Sequence, residues 1–293
     1  MKKIYLCQKF FFQKMKLNHL FIKNFRINNI FWILTIVLIF NTLFFCACED
    51  ILKLNVSGDG NIITDTLRWK SSYNINELEL SDNFRLEIYK SQKPFLHIET
   101  DSNLMVYIKT EVVRNKLIIS RQSDHNLKPS KNIIIRLYIN NLSFLTVTNR
   151  GNVVCDTLSI KNLSVNIYGK STFKCNNVYV DNLKCLSEGG AIIEINGDFT
   201  QVDLSQTGSG EAYLKGFADL CKFKLTGSGK IEAINLEAVK MNVTLNNSGL
   251  IYCNAKDYLS IYLNGNGRVY YRYKGKEEDL FIMVEGEGKA INY

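Results

Sequence analysis

From about residue 145 onward, apolar residues fall at alternate positions in short runs, and a small, glycine-rich break separates one run from the next. The plainest case is Leu225-Thr226-Gly227-Ser228-Gly229-Lys230-Ile231-Glu232-Ala233. Period-two alternation on both sides of a glycine break predicts strand, tight corner, strand. With Gly229 as the reference, the same break falls at Gly151, Ser171, Gly189, Gly210, Gly249, Gly267 and Gly288. The intervals along this series are 20, 18, 21, 19, 20, 18 and 21 residues. A period near 20 held over eight copies is the mark of a solenoid.

The columns beside the break say which solenoid. Two residues after it stand Val153, Phe173, Ala191, Ala212, Ile231, Ile251, Val269 and Ala290; four before it stand Val147, Ile167, Cys185, Gln206, Leu225, Leu245, Leu263 and Val284. The column three before it is polar, with Thr148, Tyr168, Thr207, Thr226, Asn246, Asn264 and Glu285. Inward and outward positions therefore alternate as on a strand; helical spacing does not fit, and the asparagine and leucine skeleton of a leucine-rich repeat is absent. Each copy reads as one coil of a parallel β-solenoid, right-handed by the usual rule for parallel crossovers. A coil cannot bury its apolar side alone, so coils stack and share a core. At about 4.8 Å per rung, eight coils span roughly 40 Å. The corner glycines supply positive φ, helped by Asn149, Asn247 and Asn266.

Two further stretches, with the G-S-G corners, carry a family resemblance. One is Val56-Ser57-Gly58-Asp59-Gly60-Asn61-Ile62. The other runs from Asp101-Ser102-Asn103-Leu104 to Val112 and on to Lys116-Leu117-Ile118-Ile119. Together they resemble the head GIN domain family of Bacteroidetes-type bacteria, labelled as auto-transporter adhesins of unknown function. The resemblance covers roughly Leu54 to Tyr293. It implies a right-handed parallel β-helix in a secreted or envelope protein, and no catalytic residues. Nothing in the sequence resembles the membrane barrel of a true autotransporter.

Residues 51–145 depart from the regular ladder of 146–293. Alternating strands are predicted at Leu78–Leu80, Phe84–Tyr89, Phe95–Thr100, Met105–Val113, Leu117–Ser120 and Ile133–Ile139, with longer connections and both prolines, Pro94 and Pro129. They read as elaborated first coils plus a cap over the open end. No linker composition interrupts residues 49–293, which read as a single domain.

Residues 1–48 read as a targeting segment. Seven Lys or Arg and no acid are followed by an apolar run from Ile30 to Phe45, a signal-peptide pattern that is short for a membrane span. The start is Met1 or Met15. The end, Phe45-Cys46-Ala47-Cys48, resembles a relaxed lipoprotein cleavage site with Cys48 lipidated; a plain signal peptide or an uncleaved anchor is the alternative. Glu49-Asp50 resembles an acidic tag for surface display. The expected setting is an outer-membrane lipoprotein of the cell envelope, facing outward or into the periplasm.

The leader also changes the charge picture. The whole chain is +8, but residues after the leader hold 29 basic and 28 acidic side chains, about +1. Nucleic-acid binding needs a basic patch or stripe, so no nucleic-acid partner is expected. Five cysteines follow the leader: Cys155, Cys175, Cys185, Cys221 and Cys253. An odd count cannot pair completely. All fall in inward columns and read as small buried core residues; Cys155 and Cys175, in one column on consecutive coils, are close enough for a bridge.

An enzyme reading needs carboxylates converging on one face. The outward column three after the break reads Val154, Lys174, Ile192, Tyr213, Glu232, Tyr252, Tyr270 and Ile291, with a single acid. Asp156, Asp198, Asp203, Asp219 and Asp257 are assigned to corners. No histidine follows His125, which excludes a histidine triad or metal site in the ladder. No catalytic residue, cofactor or metal is expected. Tyr213, Tyr252 and Tyr270 are the candidate binding residues, because aromatic rings on a rigid face can stack on sugars or a partner protein; tyrosine is also simply a good strand former. The expected partners are the membrane, through a lipid anchor, and a glycan or an envelope or host protein.

Overall fold

The computed structural model describes residues 54–69, 74–122 and 125–293. The leader at residues 1–48 and the lipidation site at Cys48 lie outside the described residues. The short strands come first: β1 (Leu54–Ser57), β2 (Ile62–Arg68), β3 (Glu77–Ser81), β4 (Arg85–Lys90), β5 (Phe95–Asp101), β6 (Ile108–Val113), β7 (Lys116–Arg121), β8 (His125–Lys128), β9 (Ile134–Ile139) and β10 (Phe144–Thr148). The long strands follow: β11 (Asn152–Gly169), β12 (Thr172–Gly189), β13 (Ile192–Gly208), β14 (Glu211–Gly227), β15 (Lys230–Asn247) and β16 (Leu250–Asn264). The last coil is split into β17 (Arg268–Tyr273), β18 (Leu280–Glu285) and β19 (Lys289–Asn292).

Each long strand runs nearly round one coil. In β11 the buried and exposed positions alternate, and the alternation breaks only at two exposed pairs, Asp156-Thr157 and Lys161-Asn162. Those breaks are corners, so a coil has three flat faces: 152–155, 157–160 and 162–168 in this coil. Successive coils pair in parallel register, as in Val153↔Phe173↔Ile193↔Ala212↔Ile231↔Ile251↔Val269↔Ala290. The predicted parallel β-solenoid of about 20-residue coils is the observed fold.

The third coil corrects the predicted columns. Its small residue at the break is Ala191, and Gly189 aligns instead with Gly169 and Gly208. Each column entry drawn from Gly189 moves by two: Ile193 replaces Ala191 beside Phe173, and Ser187 replaces Cys185 beside Ile167. The glycines also have two distinct jobs. Positive φ belongs to the earlier position, at Asn149, Gly169, Gly189, Gly208, Gly227, Asn247, Gly265 and Gly286. The later glycines (Gly151, Gly210, Gly229, Gly249, Gly267 and Gly288) have no positive φ; the coil before crowds them. A Cβ on Gly229 would lie 2.6 Å from the carbonyl oxygen of Gly210. Asn266 likewise has no positive φ.

Stacking order and chain order part company at the N-terminal end. β3 lies beside β10 and β4 beside β11, which makes 77–90 the coil next to the ladder. The later strands β7 and β9 pair with the other edges of β3 and β4. The coil at 116–139 thus sits outside the coil at 77–90, with Leu117, Ile119, Ile135 and Leu137 continuing the buried columns. Antiparallel strands then close this end: β6 pairs with β7, β5 with β9, and β2 with β5. β1 and β8 form a separate two-stranded sheet. This is the cap expected between 51 and 145.

The core balances volume coil by coil. The coil holding fully buried Phe173 carries Ser171, Cys175, Cys185 and Ser187 inward, and the coil holding Phe223 carries Ala212, Ala218 and Cys221. All five cysteines are buried free thiols; small core residues at native packing density explain them. Burial pushes the Cys185, Cys221 and Cys253 thiols up to about 12, which keeps them protonated and unreactive. Cys155 and Cys175 are directly paired in register and unbridged; the Cys155 thiol donates to the Thr157 carbonyl at 3.7 Å, and the adjacent Cys175 thiol raises Cys155 further, with burial adding to it.

One core column contains an oddity. Ile167 and Leu225 flank buried Ser187 and Gln206. The Gln206 Nε2 donates to the Gly210 carbonyl and, at 3.4 Å, to the Lys230 carbonyl, but its Oε1 has no partner. The Gly210 carbonyl also accepts the Lys230 amide at 3.0 Å. Gln206→Leu therefore leaves the Gly210 carbonyl bonded, gives up only the long contact to the Lys230 carbonyl, and removes an unpaired buried oxygen. It is expected to raise the unfolding free energy by about 1 kcal/mol in urea melts; a loss of that size would show that the amide holds the corner.

Candidate functional site

The outward side of the first face carries the predicted tyrosines. Parallel register brings equivalent positions to one rung spacing apart, and the outward column reads Val154, Lys174, Glu194, Tyr213, Glu232, Tyr252, Tyr270 and Ile291. Glu194 stands where Ile192 was expected, so the column holds two acids. Neither is free. Lys174 pairs with Glu194 at 2.7 Å, and Lys230 pairs with Glu232 at 2.7 Å.

Tyr252 and Tyr270 stack on each other, ring centroids 4.9 Å apart and planes 11° apart. Tyr293 meets both edge-on, at 6.1 and 6.0 Å. Tyr213 is two rungs from Tyr252, and the ammonium of Lys230 fills the gap, 5.6 Å from the Tyr213 ring and 5.2 Å from the Tyr252 ring. The three predicted tyrosines thus belong to one ladder, joined by a cation–π contact. The hydrogen bond to Glu232 raises the Lys230 pKa, holding the bridging charge in place. Tyr213 donates its hydroxyl to Glu211, which raises its own pKa, with burial adding to the shift.

This geometry changes what the rings can do. One face of Tyr252 lies against Tyr270 and a cation lies over the ring, so a sugar cannot stack there. The accessible groups are the two phenol hydroxyls, which have no hydrogen-bond partner among the described residues, and the ring of Tyr293, 62% exposed. Lys230 and Tyr293 were not singled out from the sequence. Lys230 sits in the neighbouring outward column and reaches sideways, which column reading does not register. Tyr262 lies on the third face and donates to Glu285, and Tyr273 is tied to the Asp257 and Lys276 carbonyls.

The other predicted positions scatter. Asp156, Asp219 and Asp257 are at corners, but Asp198 and Asp203 stand on flat faces, the former between Tyr179 and Phe217 and the latter between Lys184 and Lys222. His97 packs against Phe95 and Tyr138, and His125 against Tyr107, all before the ladder. Among the described residues no cluster of three or more His, Cys, Asp or Glu could hold a metal ion, and no helix is long and apolar enough to cross a membrane.

The motifs that carried the resemblance meet at the cap. Asp101 accepts the Gly60 amide at 2.8 Å, and the Ser130 hydroxyl and amide at 2.6 and 2.9 Å. Ser102 donates to Asp59, and Asn103 donates to the Ser57 carbonyl at 2.8 Å. All carboxylate oxygens here are engaged by protein donors, so the cluster stitches the cap.

Parallel coils with a sewn-on antiparallel cap and side chains laid out along a flat outer face define a β-solenoid of the adhesin-like head class. The chain belongs to the head GIN domain family: residues 74–275 match the family described as "Putative auto-transporter adhesin, head GIN domain". Crystal structures share the fold. One from Parabacteroides distasonis, described as a "putative adhesin", is 21% identical with a TM-score of 0.70, over 80% of this chain and 98% of that one. A "putative lipid binding protein" from the same species is 22% identical with a TM-score of 0.67, over the same shares. A "putative adhesin" from Parabacteroides merdae is 17% identical with a TM-score of 0.63, again over 80% and 98%. No curated protein matches the chain.

Proposed function

We propose that this chain is a non-enzymatic cell-envelope lipoprotein, anchored through Cys48, whose solenoid presents its first face as an adhesion or binding surface to glycan or protein. The observation that carries this reading is the cluster of Tyr252, Tyr270 and Tyr293, held in fixed geometry on in-register strands. Tyrosine offers a rigid body with a polar tip, which gives contact area at low entropic cost. The family description points the same way, and the export pattern of residues 1–48 supplies the location. A second reading, a periplasmic structural or signalling part acting through a protein partner, is favoured by β18, where Phe281 and Met283 are 52% and 59% exposed.

Protease shaving of intact cells separates the two. Loss of the ladder band is expected for an adhesin; full protection until the outer membrane is opened would end that reading and leave the periplasmic one. The tyrosines are tested by Tyr252→Ala/Tyr270→Ala, expected to weaken binding to a glycan or host protein by about tenfold or more. Unchanged binding would remove them from the function.

A further inference from the structure

On the first face, most cations are matched by carboxylates until the last rungs; Lys215, at the corner of the β14 coil, is an exception. Arg136 meets Glu87 at 3.3 Å and Glu99 at 2.8 Å, and Arg85 meets Glu87 at 2.8 Å. Lys174 and Lys230 have their glutamates, as above. After Glu232 the matching stops. β17 presents Arg268, Tyr270 and Arg272 outward, because alternate residues of a strand share a side. Lys289 of β19 stands in register with Arg268, and Tyr293 follows Asn292, the register partner of Tyr271. None of these three cations forms an ion pair among the described residues; Arg272 lies over the Tyr293 ring at 5.2 Å. The carboxylates just before Lys289, Glu285 and Glu287, belong to the preceding corner: Glu285 is taken by Tyr262, and Glu287 forms no ion pair. After Arg272, Glu277, Glu278 and Asp279 lie in the turn before β18, where Glu278 pairs with Lys276 at 3.4 Å.

A surface that neutralises most of its charges elsewhere and leaves three cations open around a tyrosine cluster is complementary to an anion. Two arginines flanking one ring fit planar carboxylates, which guanidinium binds in a fork. Arg268 and Lys289 are register partners, which sets two cations one rung spacing, about 4.8 Å, apart along the solenoid, so an extended polymer lying along that direction can meet both. Three cations on a nearly neutral body are too few for nucleic acid, whose binding grows with the number of phosphates neutralised.

Resting on the reading of this face as the binding surface, we propose that its last three rungs bind a carboxylated polysaccharide. Arg268 and Arg272 hold uronate carboxylates, the Tyr252 and Tyr270 hydroxyls bond to ring oxygens, and the exposed ring of Tyr293 meets an adjoining sugar. The test uses the full chain in detergent with polygalacturonate and hyaluronate and with their methyl esters, which keep the sugar backbone and lose the charge. The acids are expected to bind at least about tenfold more tightly than the esters, and Arg268→Gln/Arg272→Gln to lose about tenfold or more. Lys184→Gln, on the third face, should bind as wild type, and thermal melts should show all variants folded. Equal binding of acids and esters overturns the anionic ligand but keeps the face as a glycan site. Binding of neither overturns both. Arginine-dependent binding to phosphatidylglycerol vesicles as tight as to the polyuronates overturns the polysaccharide in favour of a lipid surface.

Discussion

Phe173→Ala is expected to lower the unfolding free energy by about 3–5 kcal/mol, measured by urea or thermal unfolding. Phe173 is fully buried between Val153 and Ile193 in the stacked column. The cost of such a truncation depends on whether the neighbours can collapse into the space. Here they cannot. The other inward residues at the same end of the coil, Ser171, Cys175, Cys185 and Ser187, are small and carry no spare volume to move inward. The coils above and below are fixed by continuous backbone pairing through β11, β12 and β13. In a solenoid each coil is stabilised by its two neighbours, so a cavity in this one weakens two stacking interfaces. Phe173→Leu, which keeps most of the volume, is expected to cost only about 1 kcal/mol. A loss under about 1.5 kcal/mol for the alanine variant would mean that the coil repacks, and that volume compensation is not what its cysteines and serines provide.

The fold was legible because alternation and the 20-residue period are direct prints of strand geometry and coil circumference. What could not be read follows from the same geometry. A slip of two residues keeps every inward side chain inward, so parity gave no warning that Ala191, and not Gly189, occupies the reference column. Both corner positions favour glycine, one for positive φ and one for lack of room, and the sequence does not label which is which. Glu194 was hidden by that same slip, and with it the ion pair to Lys174. At the N-terminal end β3 to β7 and β9 were found, with Met105–Tyr107 a short 3-10 turn ahead of β6 and β1, β2 and β8 missed; nothing in the alternation says that 116–139 stacks outside 77–90. The tyrosine ladder was legible as a column. Its chemistry was not, because Lys230 reaches into it from an adjacent column and Tyr293 joins it from the end of the last coil.

Asp101→Ala is expected to cost about 2–4 kcal/mol, and to be felt first at the cap. The Asp101 side chain has no exposed surface, and it accepts three donors from two other segments, Gly60 and Ser130. Removing the carboxylate leaves two backbone amides without an acceptor, and orphaned buried donors cost more than the bond itself contributes. The segments are also close: a Cβ on Gly58 would lie 2.3 Å from the Asp101 carboxyl carbon, so only glycine at 58 leaves room for the carboxylate. Limited proteolysis of the variant should cut within 54–69 while the ladder from β11 onward stays intact, because the cap covers an end that coils further along do not touch. The effect should also depend on pH in one direction. The Ser130 hydrogen bonds hold the Asp101 pKa below its ordinary value against the opposing effect of burial. A carboxylate whose pKa is lowered by folding adds stability that is fully present above its unfolded pKa, about 4, and is lost as pH falls through the folded value. The stability gap between wild type and Asp101→Asn should therefore be constant from pH 7 to about 5 and shrink below about 4. A gap unchanged down to pH 2 would show that the cap is held by shape alone, with the charge of Asp101 irrelevant to it.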